Sequence, residues 1–278
     1  MKANEPSRTA LMVARQRAAH QVLDQGSILH DPFAMKILCE TEESVVAFAN
    51  GHALASIGRI FTAARSRIAE DAISEALGRG TRQIVILGAG LDTFALRNPH
   101  DAREVHIYEV DHPATQEWKR RRLAEAQLAV PLCLTFVPVD FERDDLGEKL
   151  GAAGFQHNSP AFFSWLGVAP YLTESAIGST LQYIASIRNS EVVFDYMEPA
   201  QASAAIRELV TKRTEQLEKM DERWASRFEP AGMAAILRSH GFSEIEDIDF
   251  EEIRARFGHS IQGLAPGTAG LHVVHAKH

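Results

Sequence analysis

Gln83-Ile84-Val85-Ile86-Leu87-Gly88-Ala89-Gly90-Leu91-Asp92 decides the fold of this chain. The run Gln83 to Leu87 is short, apolar and β-branched, so it predicts a strand. It stops on two glycines one residue apart. Fifteen residues past Gly90 a second such run, Val105-His106-Ile107-Tyr108, begins, and it ends on Glu109-Val110-Asp111. Strand, glycine turn, helix, strand and terminal acid is the order of a nucleotide-binding βαβ unit. The glycines let the backbone turn sharply and approach a ligand closely. An acid at the tip of the second strand can hold both hydroxyls of a ribose, and Glu109 and Asp111 both compete for that place. An adenosine-type cofactor is therefore expected.

The glycine spacing narrows the choice. A dinucleotide fingerprint puts a third glycine three residues after the second, where it packs the helix close to a pyrophosphate. That place is Thr93 here, preceded by Asp92. A carboxylate is repelled by a pyrophosphate and suits a cationic ligand. S-adenosyl-L-methionine carries an ammonium and a sulfonium and no phosphate. It is the expected cofactor, with S-adenosyl-L-homocysteine as product. Asp92 has a second use open to it, as cap of a helix starting at Thr93.

At 278 residues the chain has room for one large α/β domain, or one plus a lid. Its 45% hydrophobic and 24% charged content is that of a soluble globular protein. No apolar run approaches the roughly 18–20 residues of a membrane span. The opening Met1-Lys2-Ala3-Asn4-Glu5-Pro6 is unlike a signal peptide. Cys39 and Cys133 lie in apolar sequence without metal or disulfide spacing, so a reduced, cytoplasmic setting is expected. A net charge of −8 argues against nucleic acid as the main partner. The twelve histidines form no metal motif, and His272 and His275 fit no zinc site. Nothing in the sequence fixes the oligomeric state.

Helices are expected at Thr9–Asp24, Ile57–Leu77, His112–Leu128, Glu174–Ile187 and Pro230–His240. Asp31-Pro32-Phe33-Ala34 has the form of an N-cap followed by proline at the first helical position. Strands are expected at 83–87, 104–109, 132–139, 161–166, 191–196, 242–250 and 271–276. Strand–helix alternation implies a parallel sheet with helices on both faces. The last two strands, about 20 residues apart, are expected to form a hairpin with a reversed edge strand. The fold class is thus α/β, a class I methyltransferase (Rossmann-like) seven-stranded sheet with its last strand reversed. Residues 1–278 are expected to be a single domain, with an N-terminal helical segment, 1–56, and a helical cap insertion, 200–229. Within that cap, Gln201 to Arg227 is charged and amphipathic, and is expected to cover the ligand edge of the sheet.

These pieces together resemble the leucine carboxyl methyltransferase family, in its bacterial branch of small-molecule S-adenosylmethionine-dependent methyltransferases. The resemblance covers nearly the whole chain. It rests above all on Leu87-Gly88-Ala89-Gly90-Leu91-Asp92-Thr93, Tyr108-Glu109-Val110-Asp111-His112-Pro113 and Trp165-Leu166-Gly167-Val168-Ala169-Pro170-Tyr171-Leu172-Thr173. Ser7-Arg8-Thr9-Ala10, Arg17-Ala18, Asp31-Pro32-Phe33-Ala34, Ala64-Arg65-Ser66-Arg67 and Arg227-Phe228-Glu229-Pro230 add to it. The resemblance implies that Arg65 binds the methionine carboxylate of the cofactor and that Gly88 and Gly90 line it. It further implies that Asp111 binds the ribose and that Asp140-Phe141 holds the adenine. The glutamate that the family carries after strand four falls at Leu166, so no acidic contact is expected there.

The expected chemistry is in-line methyl transfer from a sulfonium to an oxygen of a small molecule, the methyl acceptor. No convincing base is visible and no catalytic residue is assigned. A carboxylate acceptor, with a pKa of about 4, needs no base, whereas a phenol at about 10 does. A carboxylate is favoured, and phenol, enol and hydroxyl acceptors stay open. Tyr171, Tyr196 and Trp165 are candidates for the acceptor pocket, which is expected between Ser7–Asp24 and Gln201–Arg227. On that expectation, loss of Met1 to Asp24 spares cofactor binding and removes methyl transfer. A nicotinamide-dependent oxidoreductase is the rival enzyme, and a catalytically inactive cofactor-binding scaffold the rival non-enzyme.

Overall fold

β1 (Gln83–Leu87) is buried on both faces, which is why its sequence is an unbroken apolar run. Ile84 and Ile86 point into one core, and Val85 and Leu87 into another. Each fully buried branched side chain contributes about 1.5–3 kcal/mol. The structure, a computed structural model, describes residues 7–51, 55–101, 103–141, 143–199, 224–258 and 270–278.

The other strands are β2 (His106–Asp111), β3 (Leu134–Pro138), β4 (Ala161–Trp165), β5 (Glu191–Met197), β6 (Glu244–Asp249) and β7 (Leu271–Lys277). They form one seven-stranded sheet in the order β3-β2-β1-β4-β5-β7-β6. β1 to β5 are parallel, and β7 runs antiparallel to β5 and β6. This is the class I methyltransferase sheet with its last strand reversed. The reversed strand, however, is not at the edge. β7 is buried along its length and lies between β5 and β6. β6 takes the edge, where its exposed Glu244 and Glu246 discourage further pairing.

On one face α4 (Ala55–Gly78) packs Ile60, Ala64, Ala72 and Ile73 against the sheet, joined by α10 (Phe250–Phe257). On the other face lie α8 (Glu174–Ala185), through Ile177, Leu181 and Ile184, and α9 (Pro230–Ser239), through Met233 and Leu237. α5 (Phe94–Arg97), α6 (Pro113–Glu125) and α7 (Leu146–Ala152) connect the strands. The N-terminal segment forms α1 (Arg8–Leu23), α2 (Ala34–Leu38) and α3 (Glu42–Ala49), with a small core of its own against Leu91 and Leu123. Ser7 caps α1 by accepting the Ala10 N–H.

Several expected boundaries move. β2 runs two residues further, to Asp111, because its partner β3 accompanies it that far. β6 stops at Asp249, whose side chain accepts the Glu252 N–H and so starts α10 at Phe250. Asp31 does not cap a helix beginning at Pro32. It accepts the Phe33 N–H at 3.0 Å in a turn, and α2 begins at Ala34. Most of the expected cap, 200–223, lies outside the described residues. Its described end, 224–229, has no regular secondary structure. There the Ala225 N–H donates to the Pro170 carbonyl, and the Phe228 N–H to that of Met197. Cys133 is buried, Cys39 is exposed, and both are free thiols.

Candidate functional site

The chain winds outward from β1 through β2 to β3, then returns to β4 and β5. The point of reversal leaves a crevice beyond the carboxyl ends of β1 and β4, where open α/β sheets bind ligands. A cavity of about 1070 Å³ opens there, just above the ~300–1,000 Å³ usual for small-molecule sites. Of the residues expected at a site, it is lined by Arg65, Gly88, Gly90, Asp92, Asp111, Asp140, Phe141 and Tyr171.

The floor is the glycine turn. The Gly88 and Ala89 N–H groups both donate to the Val110 carbonyl, at 2.8 and 3.1 Å, which folds the turn onto β2. Gly88 and Gly90 have φ of +66° and +49°, the left-handed region that glycine enters without a Cβ penalty. Their surroundings are already filled. A Cβ on Gly88 would meet Val168 Cγ2 at 2.2 Å, and one on Gly90 would meet Ala10 Cβ at 3.0 Å. The loop after β4 and the start of α1 therefore both close on this turn.

Asp111 sits where β2 ends and the cavity begins. Its Oδ2 accepts the Gly90 N–H at 2.5 Å, and its Oδ1 accepts the His112 N–H at 2.6 Å. A carboxylate has about four acceptor sites, so two remain after these bonds. Burial pushes its pKa up, against the two backbone hydrogen bonds and the Lys119 charge. Glu109, two residues deeper on the same face, does not reach the cavity. α6 covers it, and Lys119 Nζ pairs with its Oε2. Lys119 belongs to the basic run Lys119 to Arg122 on α6, yet its side chain is only 2% exposed.

Asp92 lines the cavity and also holds the start of α5, which begins at Phe94 with Thr93, not Asp92, as its N-cap. Asp92 Oδ1 accepts the Phe94 N–H at 2.7 Å, while Oδ2 lies 3.5 Å from Arg17 Nη1. Thr93, in the place of the third glycine, is fully buried and donates to Asp31 Oδ2. Arg17 Nε lies 2.9 Å from that same oxygen. The sequence reading gave Arg17 no site role, although it lines the cavity. A charge between Ala14 and Ala18 on a buried helix face was the available signal.

Arg65, on α4, is nearly buried. Its Nη1 donates to Asp195 Oδ2 at 2.8 Å, not to Glu70 or Glu75, while its Nε has no hydrogen-bond partner. Glu70 instead holds Arg97. Asp140 and Phe141 follow β3 at the cavity wall, and Tyr171 ends a 3₁₀ turn (Ala169–Tyr171) on the opposite side. Leu166 also lines the wall, so the position carries no acid.

Trp165 and Tyr196 are not in the cavity. Both are in the core between β4, β5 and α9, where strand alternation points them away from α4. Tyr196 donates its hydroxyl to Asp247 Oδ2 at 2.6 Å and stacks on His272. Among the described residues no group of three metal-ligating side chains comes together, and no helix is long and apolar enough to cross a membrane.

An adenosyl amino acid fits this site on the residues present. The orphaned Arg65 Nε and the two open acceptor sites of Asp111 match a carboxylate and a ribose diol.

The sequence pattern described as leucine carboxyl methyltransferase matches residues 10–185. The chain is 30% identical to YktD of Bacillus subtilis (strain 168), provisionally named an S-adenosyl-L-methionine-dependent methyltransferase, over 99% of both chains. A relative with the same provisional name from Mycolicibacterium paratuberculosis (strain ATCC BAA-968 / K-10) is 35% identical over 60% of this chain and 33% of its own length. A solved structure described as a possible exported protein from Bordetella parapertussis shares the fold. Its TM-score is 0.50 at 14% identity, covering 97% of this chain and 94% of that one.

Proposed function

Since the chain belongs to the leucine carboxyl methyltransferase family and is an S-adenosyl-L-methionine-dependent methyltransferase, we propose that it methylates an oxygen of a small molecule, with a carboxylate favoured. The observation that carries this reading is one continuous cavity. It joins the glycine turn and Asp111 to the Tyr171 side, so cofactor and acceptor share a room. Bound there, S-adenosyl-L-methionine supplies a methyl group on a sulfonium, open to in-line displacement.

The chain's own residues then have separable tasks. Asp111 takes the ribose hydroxyls on its remaining lone pairs. Arg65 grips the cofactor's carboxylate, which a guanidinium can do with two parallel bonds. Asp140 and Phe141 hold the adenine. Gly88 and Gly90 keep the backbone close. The acceptor enters on the Tyr171 side, beneath α1 and the segment at Ala225. Positioning does most of the work, since well-oriented pairs recover roughly 7–11 kcal/mol of the barrier. A dry pocket helps further, because an anion meeting a sulfonium neutralises charge.

A carboxylate acceptor is favoured because it arrives already ionised. The imidazole on the cavity wall, His112, spends Nδ1 on accepting the Ala114 N–H at the start of α6, which withdraws that nitrogen from proton transfer. The test is transfer of isotopically labelled methyl from S-adenosyl-L-methionine to a panel of small carboxylic acids, phenols and alcohols. A methyl ester releases labelled methanol in mild base, and an ether does not. Label stable to base would refute the carboxylate. No transfer to any acceptor, with cofactor bound, would favour the inactive scaffold.

A further inference from the structure

We propose that Asp195, a residue given no role above, is the positioning residue that aims Arg65 at the cofactor. The inference rests on the reading of Arg65 as carboxylate anchor. Asp195 interrupts the apolar run of β5, between Phe194 and Tyr196, and its side chain is 5% exposed. One oxygen accepts from Arg65 Nη1 at 2.8 Å, and the other accepts the Gly167 N–H at 2.6 Å. A single buried carboxylate thus ties α4 to the loop after β4. An acid this deep is costly unless paired, and here both oxygens are paired with donors on the wall of the cavity.

The bond to Nη1 has a directional consequence. A guanidinium is planar, so holding Nη1 fixes where its other donors point. Nε stays buried without a partner. Nη2 lies against Gly167, whose φ is +72° and where a Cβ would come within 2.7 Å of that nitrogen. The Nε–Nη2 edge is therefore the part of Arg65 left for a ligand carboxylate. Asp195 also anchors the loop that brings Val168 onto Gly88, so the anchor and the glycine turn are held in one frame.

Charge and geometry make opposite forecasts here. If Asp195 acted only as a counter-charge, removing it would strengthen the pull of Arg65 on an anion. If it positions Arg65, removing it weakens the grip. Asparagine separates them, since its one carbonyl oxygen cannot serve both donors from the two sides that the carboxylate uses.

The test compares S-adenosylhomocysteine with 5′-methylthioadenosine, which keeps the adenosine and sulfur but lacks the amino-acid end. Calorimetry is run on the full chain, with Arg67→Ala as control, since Arg67 is half exposed and bonded to Asp71. Asp195→Asn should weaken S-adenosylhomocysteine about 10-fold or more while 5′-methylthioadenosine changes by about two-fold or less. Asp195→Glu, which restores two acceptors, should recover part of the loss. Arg65→Ala should show the same selectivity, and adding Asp195→Asn to it should cost little more. Gly167→Ala pushes on Nη2 with Asp195 intact, and should give the same selective loss if Asp195→Asn fails to fold. Equal weakening of both ligands by Asp195→Asn, or tighter S-adenosylhomocysteine, overturns the proposal while a selective Arg65→Ala leaves the anchor standing. An unselective Arg65→Ala overturns both.

Discussion

Lys119 Nζ lies 2.5 Å from Glu109 Oε2, and both side chains are 2% exposed. α6 thereby closes over the acid two residues below Asp111, so that of the two only Asp111 reaches the cavity. Burial pushes the Glu109 carboxyl up to about 7, and the Lys119 charge offsets only part of that rise.

Lys119→Met should destabilise the protein more at pH 8 than at pH 5. With its partner gone, a charged Glu109 is left uncompensated, at a cost of about 3–5 kcal/mol. At pH 5 the carboxyl takes a proton and the loss shrinks. In the wild type the folded pKa stands above the ordinary 4.5, so between these values the folded chain holds more protons. The contribution is complete below 4.5 and is lost as the pH rises through about 7. Urea unfolding of both proteins at the two pH values measures it. Equal losses at both would contradict the burial of a titrating Glu109.

S-adenosylhomocysteine should raise the melting temperature, and NAD should not. Thr93 fills the third-glycine place with a buried side chain bonded to Asp31, and Asp92 stands beside it. Ligand at 100 times its dissociation constant adds about 2.7 kcal/mol. A shift with NAD and none with S-adenosylhomocysteine would reverse the cofactor assignment.

Gly90→Val should abolish cofactor binding and also lower stability. In the structure the neighbour is Ala10, so valine wedges α1 away from the glycine turn and adopts a φ of +49° that it resists. Calorimetry and thermal melting together decide this. A variant as stable as the wild type with unchanged affinity would be the contrary result.

The βαβ core was legible because its rules are local. Both-face burial made Ile84 to Leu87 continuous, and the turn demanded glycine at 88 and 90. The position of Asp111 at the end of a strand was equally visible. What escaped depends on packing between distant segments. Glu109 and Asp111 share a face, and only the placement of α6 tells them apart. Tyr196 and Trp165 sit near the right strand ends, but strand alternation turns them to the other side of the sheet. Asp195 and Arg17 were visible only as charges interrupting apolar patterns, and their partners lie 130 and 74 residues away. The order of β6 and β7 follows from which of them can bear exposure, a comparison that periodicity over a few residues does not resolve.

Removal of the first 24 residues should destroy cofactor binding, contrary to what the sequence suggested. α1 does more than border the acceptor. Ala10 packs on Gly90, and Ser7 accepts the bond that starts the helix while its own N–H donates to Thr115 at the head of α6. Arg17 donates to the Leu91 carbonyl and stands between Asp31 and Asp92. Without it the buried Asp31 keeps the Thr93 hydroxyl and Arg97, whose Nε is 3.7 Å away. The Arg17 charge and that of Arg97, with the Thr93 hydroxyl, hold the Asp31 carboxyl below its ordinary pKa against the opposing effect of burial. Arg17→Met isolates this contribution, because it keeps an unbranched chain in α1 and removes only the charge and its hydrogen bonds. It should cost less than the ~3–5 kcal/mol lost when a buried charge is left wholly uncompensated, because Arg97 and Thr93 remain. It should also weaken S-adenosylhomocysteine, since the glycine turn loses its tether at Leu91. Thermal melting and calorimetry on Arg17→Met and on the truncated chain measure both effects. A truncated protein that binds S-adenosylhomocysteine with wild-type affinity would show that α1 serves the acceptor alone.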